Sequence, residues 1–263
     1  MQVVVSLIKA GYGCKMWTWT GNWRALLHQA GQGLLDLVFP PHCILCQATG
    51  AWLCDACLEQ FSRLDQRVCQ RCGIPLSGAS LCRSCAQGPL EIEGVRSAVL
   101  LEGGARWAVH QLKYAGHSAL AVPLARLMAQ CWYAAPLPVD VWAAVPLHVA
   151  RQRERGYNQS YLLGREFARL VGLPEMSGTL RRVRPTQAQV GLNAAERRVN
   201  VYGAFAYYLP RNGQGVQGQR VLLIDDVCTT AATLEACATE LKKAGAVGVW
   251  GFTLARAAPA SDL

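Results

Sequence analysis

The chain has 263 residues, of which 52% are hydrophobic and 16% charged, and it carries a formal net charge of +9. Such a length accommodates one large domain or a medium one with a small companion, and the apolar content is enough for a sizeable core, which excludes a disordered chain. No run approaches the roughly 18 uninterrupted apolar residues of a membrane helix, so the sequence predicts no membrane span.

Met1 to Ala10 contains a short apolar run without a basic leader or a small-residue cleavage pattern, and Tyr12 fits poorly before Gly13-Cys14 in a lipoprotein box. A cytoplasmic protein is expected, with Met16 as an alternative start. Between Gly21 and Pro40, the spacing of Trp23, Leu26, Leu27, Leu34, Leu35, Leu37 and Val38 predicts an amphipathic helix that must stop at Pro40-Pro41. Residues 1–39 are thus read as an extension ending in a helix.

Residues 40–87 form a second region, defined by cysteine. The chain has 12 cysteines, and eight of them form four CxxC pairs: Cys43/Cys46, Cys54/Cys57, Cys69/Cys72 and Cys82/Cys85. A two-residue spacer lets both thiolates face one tetrahedral centre, and four thiolates close a structural zinc site. Gly73 suits the tight turn of such a knuckle. Disulfides would need an oxidising compartment that nothing else in the sequence supports. Two structural zincs are expected, grouped sequentially, with a crossed pairing left open by the spacing. The module is too poor in aliphatic residues to bury a core, so metal must hold it together. Cys14, Cys131, Cys228 and Cys237 are scattered and read as small buried residues.

Gln87-Gly88-Pro89 breaks the chain, and residues 88–263 follow an α/β pattern. Apolar runs at Val95–Leu101, Val139–Val145, Val201–Tyr208, Arg220–Ile224 and Val247–Leu254 alternate with helical periodicity. The helical stretches are Arg106–Tyr114, Ala119–Trp132, Tyr157–Val171 and Thr230–Ala244. A mostly parallel central sheet is expected, with a surface connection over 210–219.

The most informative stretch is Val221-Leu-Leu-Ile-Asp225-Asp226-Val227-Cys228-Thr229-Thr230-Ala231-Ala232-Thr233. A buried strand runs into paired carboxylates, a small-residue turn and a helix start. Backbone N–H groups of the turn and the helix N-terminus attract phosphate, and each carboxylate can accept a hydrogen bond from a ribose hydroxyl. The plainer alternative is a polar strand end that caps a helix. Upstream, Val145-Pro146-Leu147-His148 ends another strand, and Arg153 and Arg155 crowd into the following connection. Guanidinium forks suit bidentate phosphate binding. Asn158 reads equally well as a helix N-cap, His148 as a backbone-satisfied imidazole, and Lys113 more simply as a solvated lysine than as a cleft residue. From Arg151 to Arg198 there are ten Arg against four Glu, a surplus of six that suits polyphosphate or nucleic acid. Arg184 to Phe205, rich in hydroxyl, amide and Arg side chains, reads as a lid, with Asn193-x-x-Glu196 as a capping box.

These residues carry a resemblance. The run Asp225–Thr233 is similar to the phosphoribosyl-pyrophosphate (PRPP) motif of type I phosphoribosyltransferases. More narrowly, over residues 30 to 256 the chain resembles the ComF family, in which a cysteine zinc module precedes a phosphoribosyltransferase domain. Leu112-Lys113-Tyr114, Val145–His148, Arg153–Gln159 and Thr186–Phe205 match in order. The resemblance implies a type I phosphoribosyltransferase fold behind a double zinc ribbon. It implies that Asp225 and Asp226 bind the ribose hydroxyls, that Thr229–Thr233 binds the 5′-phosphate, and that Val145, Pro146 and Leu147 form the pyrophosphate loop. Arg184 and Arg197 would belong to the catalytic loop, and Mg²⁺ would bridge pyrophosphate and ribose oxygens largely through water. This chain departs from the pattern at Ala231 and Ala232, where the superfamily usually has Gly. A Cβ at positive φ costs about 1 kcal/mol, so the loop is expected to be reshaped or the phosphate displaced outward. Two functions follow. One is transfer of phosphoribosyl to an unknown acceptor with release of pyrophosphate. The other is a non-catalytic PRPP-binding role in DNA uptake, with contacts to single-stranded DNA.

Overall fold

The computed structural model describes residues 40–64, 67–78, 80–88, 90–186, 194–211, 213 and 215–258. The expected helix between Gly21 and Pro40, Cys14 and the capping-box residue Asn193 lie outside them. The chain divides into Met1–Pro41 and His42–Leu263, and the second unit holds both the cysteine module and the α/β region.

Four parallel strands form the central sheet in the order β1 (Gly94–Leu100), β6 (Gly248–Arg256), β5 (Arg220–Cys228) and β2 (Val141–Ala144). Strand β5 is central and buried on both faces. Its side chains alternate, so Val221 and Leu223 pack into one apolar cluster and Leu222 and Ile224 into the other. One face is covered by α3 (Gly103–Tyr114), α4 (Ala121–Ala134) and α6 (Gln159–Val171), the other by α8 (Ala232–Lys243). Helix α6 turns Leu163 and Phe167 inward four residues apart, and Gly164 between them lies against the Trp142 ring of β2. A Cβ there would sit 2.3 Å from the indole, so only glycine permits this approach.

Neither outer strand is left bare. Leu64 and Ser62 exchange backbone hydrogen bonds with Ala98 and Leu100 on β1, at 3.2 and 2.9 Å. On β2, Trp142 donates to the Pro174 carbonyl at 3.0 Å and accepts from Met176 at 2.8 Å. Covered edges suppress pairing with other chains.

Two elements of the α/β region have no counterpart in the sequence pattern, and one expected strand divides. Helix α5 (Val149–Arg155) is almost wholly polar, and its apolar periodicity is too weak to register. Strand β3 (Thr179–Arg182) offers only Leu180 as a buried residue and pairs antiparallel with β4 (Phe205–Tyr208). The run expected as one strand over Val201–Tyr208 divides: Val201 closes helix α7 (Ala194–Val201), and only Phe205 onward is extended.

The cysteine module contains two short helices, α1 (Asp55–Glu59) and α2 (Arg83–Ala86), each starting directly after a ligand-type cysteine. Its second half is moulded onto β1. The Arg71 carbonyl accepts from Val95 N–H at 2.7 Å, and the Arg71 guanidinium donates to the carbonyls of Leu90 and Ile92. Gly73 has φ +70°, and a Cβ on it would meet the Val95 carbonyl at 2.6 Å, which accounts for the glycine on two counts. Among the described residues no helix is long and apolar enough to cross a membrane.

Candidate functional site

The cysteines gather into two sets, Cys43/Cys46/Cys54/Cys57 and Cys69/Cys72/Cys82/Cys85, and within each the sulfurs lie within 4.8 Å of one another. The sequential pairing is therefore the one the fold adopts. Four sulfurs at 2.3 Å from a tetrahedral zinc would be about 3.8 Å apart, and the Cys46–Cys54 and Cys72–Cys82 sulfurs are separated by 3.6 and 3.8 Å. Burial would push the Cys43 thiol up, but N–H groups of Cys46, Cys54 and Leu45 outweigh it and pull it down to about 6. Burial, and then the neighbouring thiolates, push Cys57 up to about 12. Four thiolates this close need a cation, and the donor set suits zinc. Cys228 and Cys237 are buried with thiols pushed up by desolvation, as inert packing residues should be.

The second site lies where β2 ends beside β5, which runs on past it to Cys228. Ala144 pairs with Ile224, and Val145 N–H continues the ladder to the Ile224 carbonyl at 2.9 Å. The Val145–Leu147 turn and the acid pair therefore converge, as strand ends at the carboxyl side of a parallel sheet do. Asn158 joins them. Its Oδ1 caps α6 by accepting from Ser160 N–H at 3.0 Å, while its Nδ2 donates to the Val145 carbonyl at 3.0 Å. His148 likewise caps α5, with Nδ1 accepting from Ala150 N–H at 3.4 Å.

The two carboxylates are not equivalent, because consecutive strand residues face opposite sides. Asp226 is 3% exposed and pairs with the Lys113 ammonium at 2.6 Å; Gln159 approaches its other oxygen at 3.5 Å. Lys113 is thus a partner of the acid pair and not the solvated lysine that its sequence suggested. Asp225 is half-buried and accepts from Ser160 Oγ at 2.7 Å and from the Asp226 N–H at 2.9 Å. Burial and then the Asp226 charge push Asp225 up to about 7. Burial acts on Asp226 too, but the Lys113 charge beside it prevails and holds it below the ordinary carboxylate range. Arg155 donates to Gln159 and stacks over Tyr114 at 5.2 Å, and Tyr157 donates to the Leu112 carbonyl at 2.6 Å. These contacts tie the α5–α6 connection to the end of α3.

Beyond the acids, Val227 and Cys228 complete the strand and Thr229–Ala231 form the turn into α8. Ala231 adopts φ 62°, ψ 1° as the residue before the helix, and no side chain caps α8. Ala231 thus takes the left-handed conformation that its Cβ disfavours. Thr230 Oγ1 is buried without a hydrogen-bond partner, an arrangement that invites an acceptor from a ligand. Thr233 lies in the first turn of α8 beyond Ala232.

The remaining site residues are more dispersed. Arg153 is exposed on α5. Arg184 donates to the Asn200 and Tyr202 carbonyls at 3.1 and 2.7 Å and so braces the end of α7; Arg197 lies on that helix. Much of the expected lid, residues 187–193, is outside the described residues. A cavity of about 730 Å³ opens beside the Val145–Leu147 turn, lined by Pro146, Tyr157, Tyr161, Thr179 and Arg182. It does not contain the acid pair. Arg182, which the sequence did not single out, donates to Thr186 and lies over the Phe205 ring at 5.4 Å. Gln159, inside the matching block Arg153–Gln159, and Ser160 have no role legible in the sequence, since a glutamine and a serine at a helix start do not announce their partners.

Fold and cysteine clusters together define the class: an α/β domain with a mostly parallel central sheet, consistent with a phosphoribosyltransferase-like fold, bearing a double zinc ribbon. A family model described as "Double zinc ribbon domain" matches residues 34–86. "DNA utilization protein YhgH" of Salmonella typhi is 36% identical over 231 residues, which cover 84% of this chain and 99% of that protein. "Competence protein F" of Haemophilus influenzae is 41% identical over 115 residues, 43% of this chain and 48% of that one. "Competence protein ComFC" of Bacillus subtilis is 24% identical over 252 residues, 87% and 99% of the two chains. The chain belongs to the ComF family.

Proposed function

We propose that the site around the acid pair near the carboxyl end of β5 binds PRPP with Mg²⁺ and transfers its phosphoribosyl group to an acceptor, in a cytoplasmic protein of DNA utilisation. The observation that carries this reading is the juxtaposition of Asp225-Asp226 with a left-handed Ala231 and an uncapped helix start. Asp225, the more exposed acid, receives the ribose hydroxyls, while Asp226 anchors Lys113. The N–H groups of Thr229–Thr233 take the 5′-phosphate. Val145–Leu147, Lys113, Arg153 and Arg155 surround the pyrophosphate, with Arg184 and Arg197 on the lid segment. In the reaction the acceptor forms a bond to ribose C1 as the C1–O bond to pyrophosphate breaks. Pyrophosphate leaves with the electron pair, and the acceptor's proton passes to solvent. Fixed cations stabilise the leaving charge, and Mg²⁺ would add Lewis-acid neutralisation of pyrophosphate oxygens. The two four-cysteine clusters support a reducing cytoplasm, since their thiolates must stay reduced.

Calorimetric titration with PRPP and Mg²⁺ tests the site. Asp225→Asn/Asp226→Asn should lose most of the affinity, and an unchanged affinity removes the assignment. Pyrophosphate release that depends on PRPP and an acceptor separates transfer from binding alone.

A second reading, single-stranded DNA binding, is favoured by one feature. Trp107, His110 and Tyr114 form a continuous column along α3, with centroids 5.6 and 5.0 Å apart, and Arg155 extends it over Tyr114. Trp107 and Tyr114 are exposed. Exposed rings beside cations make a sequence-tolerant stacking platform. Trp107→Ala/Tyr114→Ala should weaken binding of a fluorescent oligothymidine roughly tenfold or more, with affinity falling steeply as salt rises. Equal affinity in variant and native protein removes this platform.

A further inference from the structure

Arg256, the last residue of β6, is 1% exposed, and among the described residues no carboxylate lies within ion-pair distance of it. A buried guanidinium without a counter-charge is strongly unfavourable. Its contacts are to sulfur and to a carbonyl. Nη2 lies 3.7 Å from Cys72 Sγ of the second cysteine set, and Nη1 lies 3.2 Å from Cys228 Sγ and donates to the Thr229 carbonyl. One planar cation therefore touches a metal-ligand sulfur and the turn after the acid pair.

We propose that Arg256 is a positioning residue that couples the second zinc centre to the phosphate loop, so that metal in that centre holds the loop ready for its ligand. Four thiolates on a divalent zinc make a doubly negative centre, which supplies the counter-charge the guanidinium otherwise lacks. Held there, Arg256 fixes the Thr229 carbonyl toward itself. In a trans peptide the next N–H points the opposite way, so the Thr230 N–H is turned away from Arg256. That orientation suits a loop that must present N–H groups outward. The first cysteine set makes no such contact with the loop among the described residues. Loss of metal from the second centre should thus be felt at Thr229–Thr233, and loss from the first should not. The inference rests on the phosphate reading of that loop for its consequence, though not for the coupling itself.

The test compares native protein with Cys46→Ala, Cys85→Ala and Arg256→Lys. It measures zinc content by elemental analysis, amide hydrogen exchange at 229–233, and PRPP affinity with Mg²⁺ by calorimetry. Cys46 and Cys85 belong to different centres, and neither touches Arg256, so each alanine variant should lose one zinc. Exchange at the loop should rise about tenfold or more in Cys85→Ala, PRPP affinity should fall by a similar factor, and Cys46→Ala should stay near native in both. Arg256→Lys should keep both zincs yet show the same loosened loop, because a lysine cannot reach two partners as a fork does. Equal loop protection in the two cysteine variants overturns the coupling, as does native exchange in a zinc-replete Arg256→Lys. If native protein binds no PRPP, the ligand reading fails, and the exchange data decide the coupling alone.

Discussion

Ala231 shows how a single atom is tolerated at a place that calls for none. Its φ of 62° lies where an L-residue is disfavoured by about 1–2 kcal/mol. Glycine would remove that cost while losing about 0.5–1 kcal/mol to its greater freedom when unfolded. Ala231→Gly should therefore raise stability by up to about 1 kcal/mol, read from the urea midpoint at constant m-value. Asp225 makes the opposite case, a group whose charge is suppressed by its surroundings. Its folded value of about 7 is above the ordinary 3.8, because burial and the Asp226 charge both oppose ionisation. The folded state thus holds a proton between those values that the unfolded chain gives up. The associated stability is complete below about pH 4 and is lost as pH rises through about 7. Asp225→Asn should match native stability near pH 4 and exceed it by on the order of a few kcal/mol at pH 8. A stability difference that does not change with pH would show that Asp225 is not the group that titrates.

Among the elements, α6 matters most, since its start supplies Asn158, Gln159 and Ser160 to the site while its body packs on β2. The approach of Gly164 to the Trp142 ring sets how close the helix lies, and hence where Ser160 Oγ meets Asp225. Gly164→Ala should force the two apart and cost about 1–3 kcal/mol through overpacking, seen as a lower thermal midpoint. Restoration by a smaller residue at Trp142 would identify the clash as the cause. Strand β5 and the helix after it were legible because four consecutive aliphatics, two acids and small hydroxyl residues leave few alternatives. Helix α5 and strand β3 were not, since Val149–Arg155 and Thr179–Arg182 carry almost no periodic apolar signal. Their places are fixed by contacts with residues distant in sequence, such as the His148–Arg182 bridge.

At the scale of the whole molecule, the ribbons are built into the α/β domain. They cover the outer edge of β1, insert Gly73 against Val95, and contribute Leu53, Leu58 and Phe61 to a core shared with α3 and α4. Removing zinc with a strong chelator should therefore do more than unravel the module. The thermal midpoint of the α/β domain, followed by tryptophan fluorescence, should fall, and zinc added back should restore it. A domain midpoint unaffected by chelation would show that the shared core holds without metal.

The amino-acid sequence alone determined the eight metal-ligand cysteines, the parallel α/β pattern and the position of the acid pair, because each is written in local spacing. Only the tertiary structure decided which cysteines share a centre, that Asp226 turns inward to Lys113, and that Arg256 lies between Cys72 and Thr229. Those relations join residues far apart in the chain, and charges so placed find their partners only when the packed core brings them into reach.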